Sequence, residues 1–199
     1  NGNALTITET FSDLTGTRAT AQTYDPFDRL LTKTDPRGEK LAYGYDAAGN
    51  RTRLTDPGGK TTLYGYDELN RMVTALPQGS GVTTYDYFRN SLLKKITYPN
   101  GASASHVYDQ ANRIDTITNK QFAGIVSSYD YSYDKNGNRT QQVEINAASP
   151  ETTTYEYDDA HRLTKVTCPD KTVAYTLDGV GNRTNEVTTD TATSAVTSS

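Results

Sequence analysis

Tyrosine followed by aspartate returns along this 199-residue chain at a nearly fixed interval. The pair stands at Tyr24-Asp25, Tyr45-Asp46, Tyr66-Asp67, Tyr108-Asp109, Tyr133-Asp134 and Tyr157-Asp158. An arginine follows each tyrosine by five or six residues: Arg29, Arg51, Arg71, Arg113, Arg139 and Arg162. Tyr87 holds the missing slot with Phe88 in place of aspartate, and Leu177-Asp178 with Arg183 closes the series. From Tyr24 to Tyr108 the spacing is 21 residues four times running, and the later spacings are 25, 24 and 20. A period in this range marks a chain built from one supersecondary unit used over and over. The odd repeats read Asp28-Arg29-Leu30, Asn70-Arg71-Met72, Asn112-Arg113-Ile114 and His161-Arg162-Leu163. The second, sixth and eighth read Gly-Asn-Arg-Thr at 49–52, 137–140 and 181–184, so the true period is expected to be a pair of repeats.

Between the markers lies a second signal: Pro36-Arg37-Gly38, Pro57-Gly58-Gly59, Pro77-Gln78-Gly79, Pro99-Asn100-Gly101 and Pro169-Asp170-Lys171. Proline pre-sets φ early in a turn and glycine supplies positive φ later. Two turns per repeat leave two segments of strand length, which predicts β-hairpins in series. Tyrosines at period two (Tyr43 and Tyr45, Tyr64 and Tyr66, Tyr129 to Tyr133, Tyr155 and Tyr157) would share one face and form ladders across strands. The predicted fold is all-β, with serial antiparallel hairpin repeats forming an open, curled β-strip. Its boundaries are a leading strand and degenerate repeat over 1–23, an array of about eight repeats over 24–188, and a polar, frayed tail over 189–199. Within the leading segment the strand is placed at residues 4–10. The stretches 119–127 and 145–153 read as insertions.

Composition fits a thin polar sheet. Leu, Ile, Val and Phe total 33 residues, matched by 33 Thr, with 15 Tyr and a formal net charge of −4. A sequence pI near 5.2 with interspersed signs argues against sequence-independent nucleic-acid binding. No run approaches the ~18–20 apolar residues of a membrane helix. One cysteine, Cys168, excludes an internal disulfide or a multi-cysteine zinc site.

No residue set points to catalysis. Asp134, Asn136 and Asn138 suggest a calcium loop, but Arg139 and Ile145 stand where such a loop needs Gly and Glu. Gly179 and Gly181 lack the third glycine of a dinucleotide loop. His106, His161 and Cys168 give a nominal base and nucleophile, with His161 merely filling the variable slot of Asp28, Asn70 and Asn112. The marker residues are expected to be structural: tyrosines in ladders, aspartates on turn N–H groups, arginines on those carboxylates. No catalytic, cofactor or metal residues are expected, and no cofactor. Rows of tyrosine flanked by Asp, Asn and Arg leave carbohydrate binding as an alternative.

The sequences Tyr-Asp-x-x-Gly-Asn-Arg-Thr and Tyr-Asp-x-x-x-Arg-Leu, followed by Pro-x-Gly, resemble the YD repeats of Rhs-type proteins. Similar repeats occur in the C components of Tc insecticidal toxin complexes and in teneurins. The resemblance spans about residues 20–188. It implies a segment of a β-strip that spirals into a hollow shell, enclosing a toxin or, in teneurins, serving cell-surface adhesion. It implies a non-catalytic structural role and a secreted or cell-surface location. The resemblance implies neighbouring repeats of a longer chain and an enclosed toxin domain as partners, and the residues themselves add self-association through edge strands and carbohydrate. Nucleic acid and a membrane span are not among them.

Overall fold

In a computed structural model the described residues are 6–10, 17–146 and 149–198. Within them the chain forms eighteen strands. Two compact units divide it, residues 1–91 with 96–100 and residues 92–95 with 101–199. In the first lie β1 (Thr6–Thr10), β2 (Thr17–Tyr24), β3 (Leu30–Thr34), β4 (Lys40–Tyr45), β5 (Arg51–Thr55), β6 (Thr61–Tyr66), β7 (Met72–Pro77) and β8 (Thr83–Tyr87). Each pairs antiparallel with the next in chain order. β9 (Leu93–Thr97) contributes residues to both units.

The second unit holds β10 (Ala102–Tyr108), β11 (Ile114–Gln121), β12 (Gly124–Tyr133), β13 (Arg139–Asn146), β14 (Pro150–Tyr157), β15 (Leu163–Thr167), β16 (Lys171–Leu177), β17 (Arg183–Asp190) and β18 (Val196–Ser198). These too pair antiparallel in chain order. The fold is all-β and built from serial antiparallel hairpins, because each repeat carries two turn signals and strands too short to reach any but their neighbours.

No described side chain is fully buried, so neither unit has a conventional core. In each unit the tyrosines form rungs on one face of their strands. Tyr43 sits across from Leu54, Tyr64 from Ala75, Tyr129 from Ile117, and Tyr155 from Val166. The opposite face carries runs of threonine. In the second unit Thr154, Thr167, Thr172 and Thr189 stand in one row across β14 to β17. Branched threonine suits a pleated, half-wet surface, which is how so few aliphatics sustain so many strands.

Of three features set against the sequence expectations, only the C-terminal stretch differs. The leading strand covers Thr6–Thr10, and residues 4 and 5 of the expected strand lie outside the described residues. Residues 189–198, expected within a polar, frayed tail, fold back: β17 runs to Asp190, Asp190 Oδ1 accepts the N–H groups of Ala192 and Thr193, and Val196–Ser198 pairs with Val187–Thr189. Short polar β-formers around the turn lack the apolar alternation that flags a strand, and the turn is held instead by Asp190 and by Thr191, which bonds Pro169 and Asp170. In the inserted stretches the strands are longer: β11 and β12 extend to a turn at Phe122–Ala123, and β13 and β14 reach Asn146 and Pro150.

Candidate functional site: the repeated turn

Each Tyr-Asp marker closes a hairpin by the same construction. In the first, Asp25 N–H donates to the Arg29 carbonyl at 2.9 Å, and the Asp28 N–H donates to the Asp25 carbonyl at 3.0 Å. The fourth turn residue lies in the left-handed region, with φ of 62° at Asp28, 59° at Asn70, 61° at Asn112 and 62° at His161. Glycine fills it at Gly49, Gly137 and Gly181. This is a type I turn followed by a one-residue bulge, a hairpin closure whose last turn position favours Gly, Asn or Asp. The bulge itself falls at the marker, where register shifts between Thr23 and Tyr24, Gly44 and Tyr45, and Gly65 and Tyr66. The variable slot of the sequence is therefore a backbone requirement, and His161 occupies it for that reason.

The aspartate side chain anchors the turn from within. Asp25 Oδ1 accepts the N–H groups of Phe27 and Arg29, while its Oδ2 accepts Arg29 Nε at 2.7 Å. Asp67, Asp109 and Asp158 repeat this with Arg71, Arg113 and Arg162. The Arg71 side chain bonded to Asp67 holds that carboxyl below its usual range, and the Arg113 and Arg162 backbone N–H groups do so first for Asp109 and Asp158. In the Gly-Asn-Arg-Thr repeats a different residue does this. Asn50 Nδ2 donates to Asp46 Oδ2 at 2.9 Å, Asn138 to Asp134 at 2.8 Å and Asn182 to Asp178 at 3.0 Å. The asparagine bond is the leading cause of the lowered pKa at all three. Arg51, Arg139 and Arg183 sit one residue later and lie over the rings of Tyr64, Tyr155 and Tyr175 instead.

The turns are latched to one another in both directions. Forward, Arg29 Nη1 donates to the carbonyl of Asp46 at 2.8 Å, Arg71 to Phe88, Arg113 to Asp134 and Arg162 to Asp178. The same guanidinium lies over the next repeat's tyrosine, at 4.8 Å for Arg29 on Tyr45 and 4.5 Å for Arg113 on Tyr133. From the alternate repeats Asn50 Nδ2 reaches Asn70 Oδ1 at 2.8 Å, and Asn138 Nδ2 lies 3.1 Å from His161 Nδ1. Backward, each marker tyrosine donates its hydroxyl to a carbonyl just past the preceding turn. The pairs are Tyr45 to Leu30, Tyr66 to Arg51, Tyr87 to Met72, Tyr108 to Leu93, Tyr133 to Ile114 and Tyr157 to Arg139, all between 2.7 and 3.0 Å. Tyr24, the first marker, bonds Gln22 of its own strand. Burial raises the phenol pKa of Tyr87, Tyr108 and Tyr133, keeping these donors protonated.

Sequence reasoning missed the asparagines. Counting from Tyr made Arg29 and Arg51 look equivalent; counting four residues from Asp would have separated them. It also passed over Asp35 and Asp56, which anchor the Pro-x-Gly turns by the same means. Asp35 Oδ1 accepts the N–H groups of Arg37 and Glu39, and Asp56 Oδ1 that of Lys60. Asp134, Asn138, Tyr157, Asp158 and His161 line a cleft, but its Asp134 and Asp158 carboxylates are already taken by Asn138 and Arg162. Among the described residues no group of three His, Cys, Asp or Glu is placed to hold a metal ion. His106, His161 and Cys168 are not brought together: His161 contacts Asn138, while Cys168 Sγ is approached by the Thr153 hydroxyl at 4.0 Å.

Residues 24–61, 45–80 and 143–173 match the RHS Repeat family. No curated protein sequence matches the chain significantly. Among solved structures, the crystal structure of TcdB2-TccC3-Cdc42 superposes with a TM-score of 0.78 at 14% identity, over 98% of this chain and 14% of that one. The crystal structure of TcdB2-TccC3 without its hypervariable C-terminal region gives 0.81 at 15% identity, over 91% and 12%. The Tc holotoxin pore of Photorhabdus luminescens with a TccC3 mutation gives 0.75 at 14%, over 98% and 14%. The chain thus spans about one seventh or less of those chains, and the likeness is one of fold.

Proposed function

We propose, from the premise that this chain carries repeats of the RHS family, that it is a non-catalytic wall segment of a shell that encapsulates or delivers a toxin. The observation that carries this reading is where the polar groups go. The marker hydroxyls, guanidiniums and amides are used to hold one repeat to the next, and the carboxylates to hold each turn closed. A wall needs that use of chemistry; an active site needs the same groups convergent and free. The fold likeness to the TcdB2-TccC3 structures supports the same reading. In this role the chain works outside the cell that makes it, secreted or surface-displayed, with further repeats as its lateral partners and a toxin domain enclosed.

The test is electron microscopy of the natural gene product that contains these repeats. This reading expects the segment to form part of the wall of a hollow particle with further chain inside. A particle with no lumen, or the segment standing free of any wall, would overturn it. Hydrolase panels on the pure chain are expected to show no turnover. Turnover abolished by replacing His106, His161 or Cys168 would also refute it.

A further inference from the structure

From the second repeat on, a tyrosine two residues before the marker forms its own row, Tyr43, Tyr64, Tyr85, Tyr131, Tyr155 and Tyr175, while Gln22 holds that place in the first repeat. At the fifth repeat the row is broken by His106 on β10. The residue that would face it is changed as well. Arg51 lies over Tyr64 thirteen positions further on, and thirteen positions before His106 stands Leu93. The arginine that stacks on the ring in the second repeat is thus absent by sequence position at His106. The fourth repeat has also lost its anchoring aspartate to Phe88.

The exchange has left a mark. His106 Nδ1 is buried and has no hydrogen-bond partner among the described residues, the one side-chain atom of which that holds. His106 stands opposite Ile117 on β11, which in turn stands opposite Tyr129 on β12. Its titratable or charged neighbours on that face are Tyr108 on β10, Asp115 on β11 and Tyr129 on β12. By the register of the equivalent strands β5 and β6, Lys94 on β9 faces it from the other side. None of these is bonded to the buried nitrogen, and Lys94 repels a second positive charge.

We propose that His106 is an acid-labile rung: protonation in mildly acidic solution opens the pairing of β10 with β11 while the tyrosine rungs elsewhere hold. A neutral imidazole tolerates an unpartnered ring nitrogen at modest cost. An imidazolium there would carry an unpaired N–H and a charge beside Ile117, so the open strand takes up the proton more readily than the paired one. Burial correspondingly lowers the His106 pKa from its ordinary value. The sign follows: a base whose folded pKa is depressed leaves stability intact above the ordinary histidine value and removes it as pH falls through and below that value.

Hydrogen exchange of the chain at about pH 7 and about pH 5.5, corrected for the intrinsic effect of pH, tests this. Amides of β10 and β11 are expected to exchange more than about twofold faster at the lower pH, and those of β6 and β7 around Tyr64 to stay unchanged. His106→Tyr, which restores the row, and His106→Gln are expected to abolish the difference. The ring signals of His106 in the unmodified chain supply a readout independent of any variant, and should titrate below the ordinary histidine range. Equal acceleration in all strands, persistence of the effect in both variants, or an ordinary titration of His106 would each overturn the proposal.

Discussion

At the scale of single residues, the turn positions are set by backbone conformation and the marker side chains by what lies one repeat away. Gly49 has φ of 93° and open space where a Cβ would project, so Gly49→Ala isolates the backbone cost. It is expected to destabilise by about 1–2 kcal/mol in urea unfolding, with Gly49→Asn costing less. The histidines and asparagines of this slot look like candidate ligands in a sequence. The positive φ at Asp28, Asn70, Asn112 and His161 shows that conformation selects them. The aspartate anchors were legible because Asp before a turn has a known use. The forward reach of Arg29 to Asp46, seventeen residues on, was not, because it depends on strands lying side by side.

At the scale of one hairpin, the carboxylates set the response to acid. Asp46, Asp67, Asp109, Asp134, Asp158 and Asp178 all have lowered pKa values, each held by its turn N–H groups and by an Asn or Arg. A depressed carboxyl gives stability that is complete above its unfolded pKa near ~4 and lost as pH falls through the folded value. The carboxylate share of the urea midpoint should therefore stay flat down to about pH 4.5 and fall below it. Asp67→Asn and Asp46→Asn should lower the neutral midpoint and flatten the acid limb. An unchanged acid limb in both would mean that the turns are held by other groups. Asn50 and Asn70 offer a cleaner probe of the seam between hairpins. A double-mutant cycle on Asn50→Ala and Asn70→Gly should give a coupling of about 0.5–1.5 kcal/mol, the usual worth of one hydrogen bond.

At the scale of the whole chain, repetition stands in for a core. The hairpin order and the turn edges could be read from the sequence because Tyr-Asp and Pro-x-Gly are local signals. The far hairpin at Val196–Ser198 could not, since its strand is polar and its turn is held by Asp190 and by Thr191 reaching back to Pro169 and Asp170. The depth of burial could not be read either. Tyrosine-to-alanine changes are expected to cost less than the ~3–5 kcal/mol of aromatic cores, because every described ring here stays partly wet. In a stacked array, stability is a sum of repeat and nearest-neighbour terms, so losses should be larger for inner repeats of each compact unit than for outer ones.

The latches themselves are tested most directly by removing one oxygen at a time. Tyr45, Tyr66, Tyr87, Tyr108, Tyr133 and Tyr157 each donate to the preceding repeat, whereas the Tyr64 ring packs under Arg51 and its hydroxyl makes no hydrogen bond among the described residues. Phenylalanine at each of the six should lower the unfolding free energy by about 0.5–1.5 kcal/mol, and Tyr64→Phe should leave it unchanged within error. Equal losses at Tyr64 and at the six markers, or no loss at any, would contradict a fold held together repeat to repeat by its tyrosine hydroxyls.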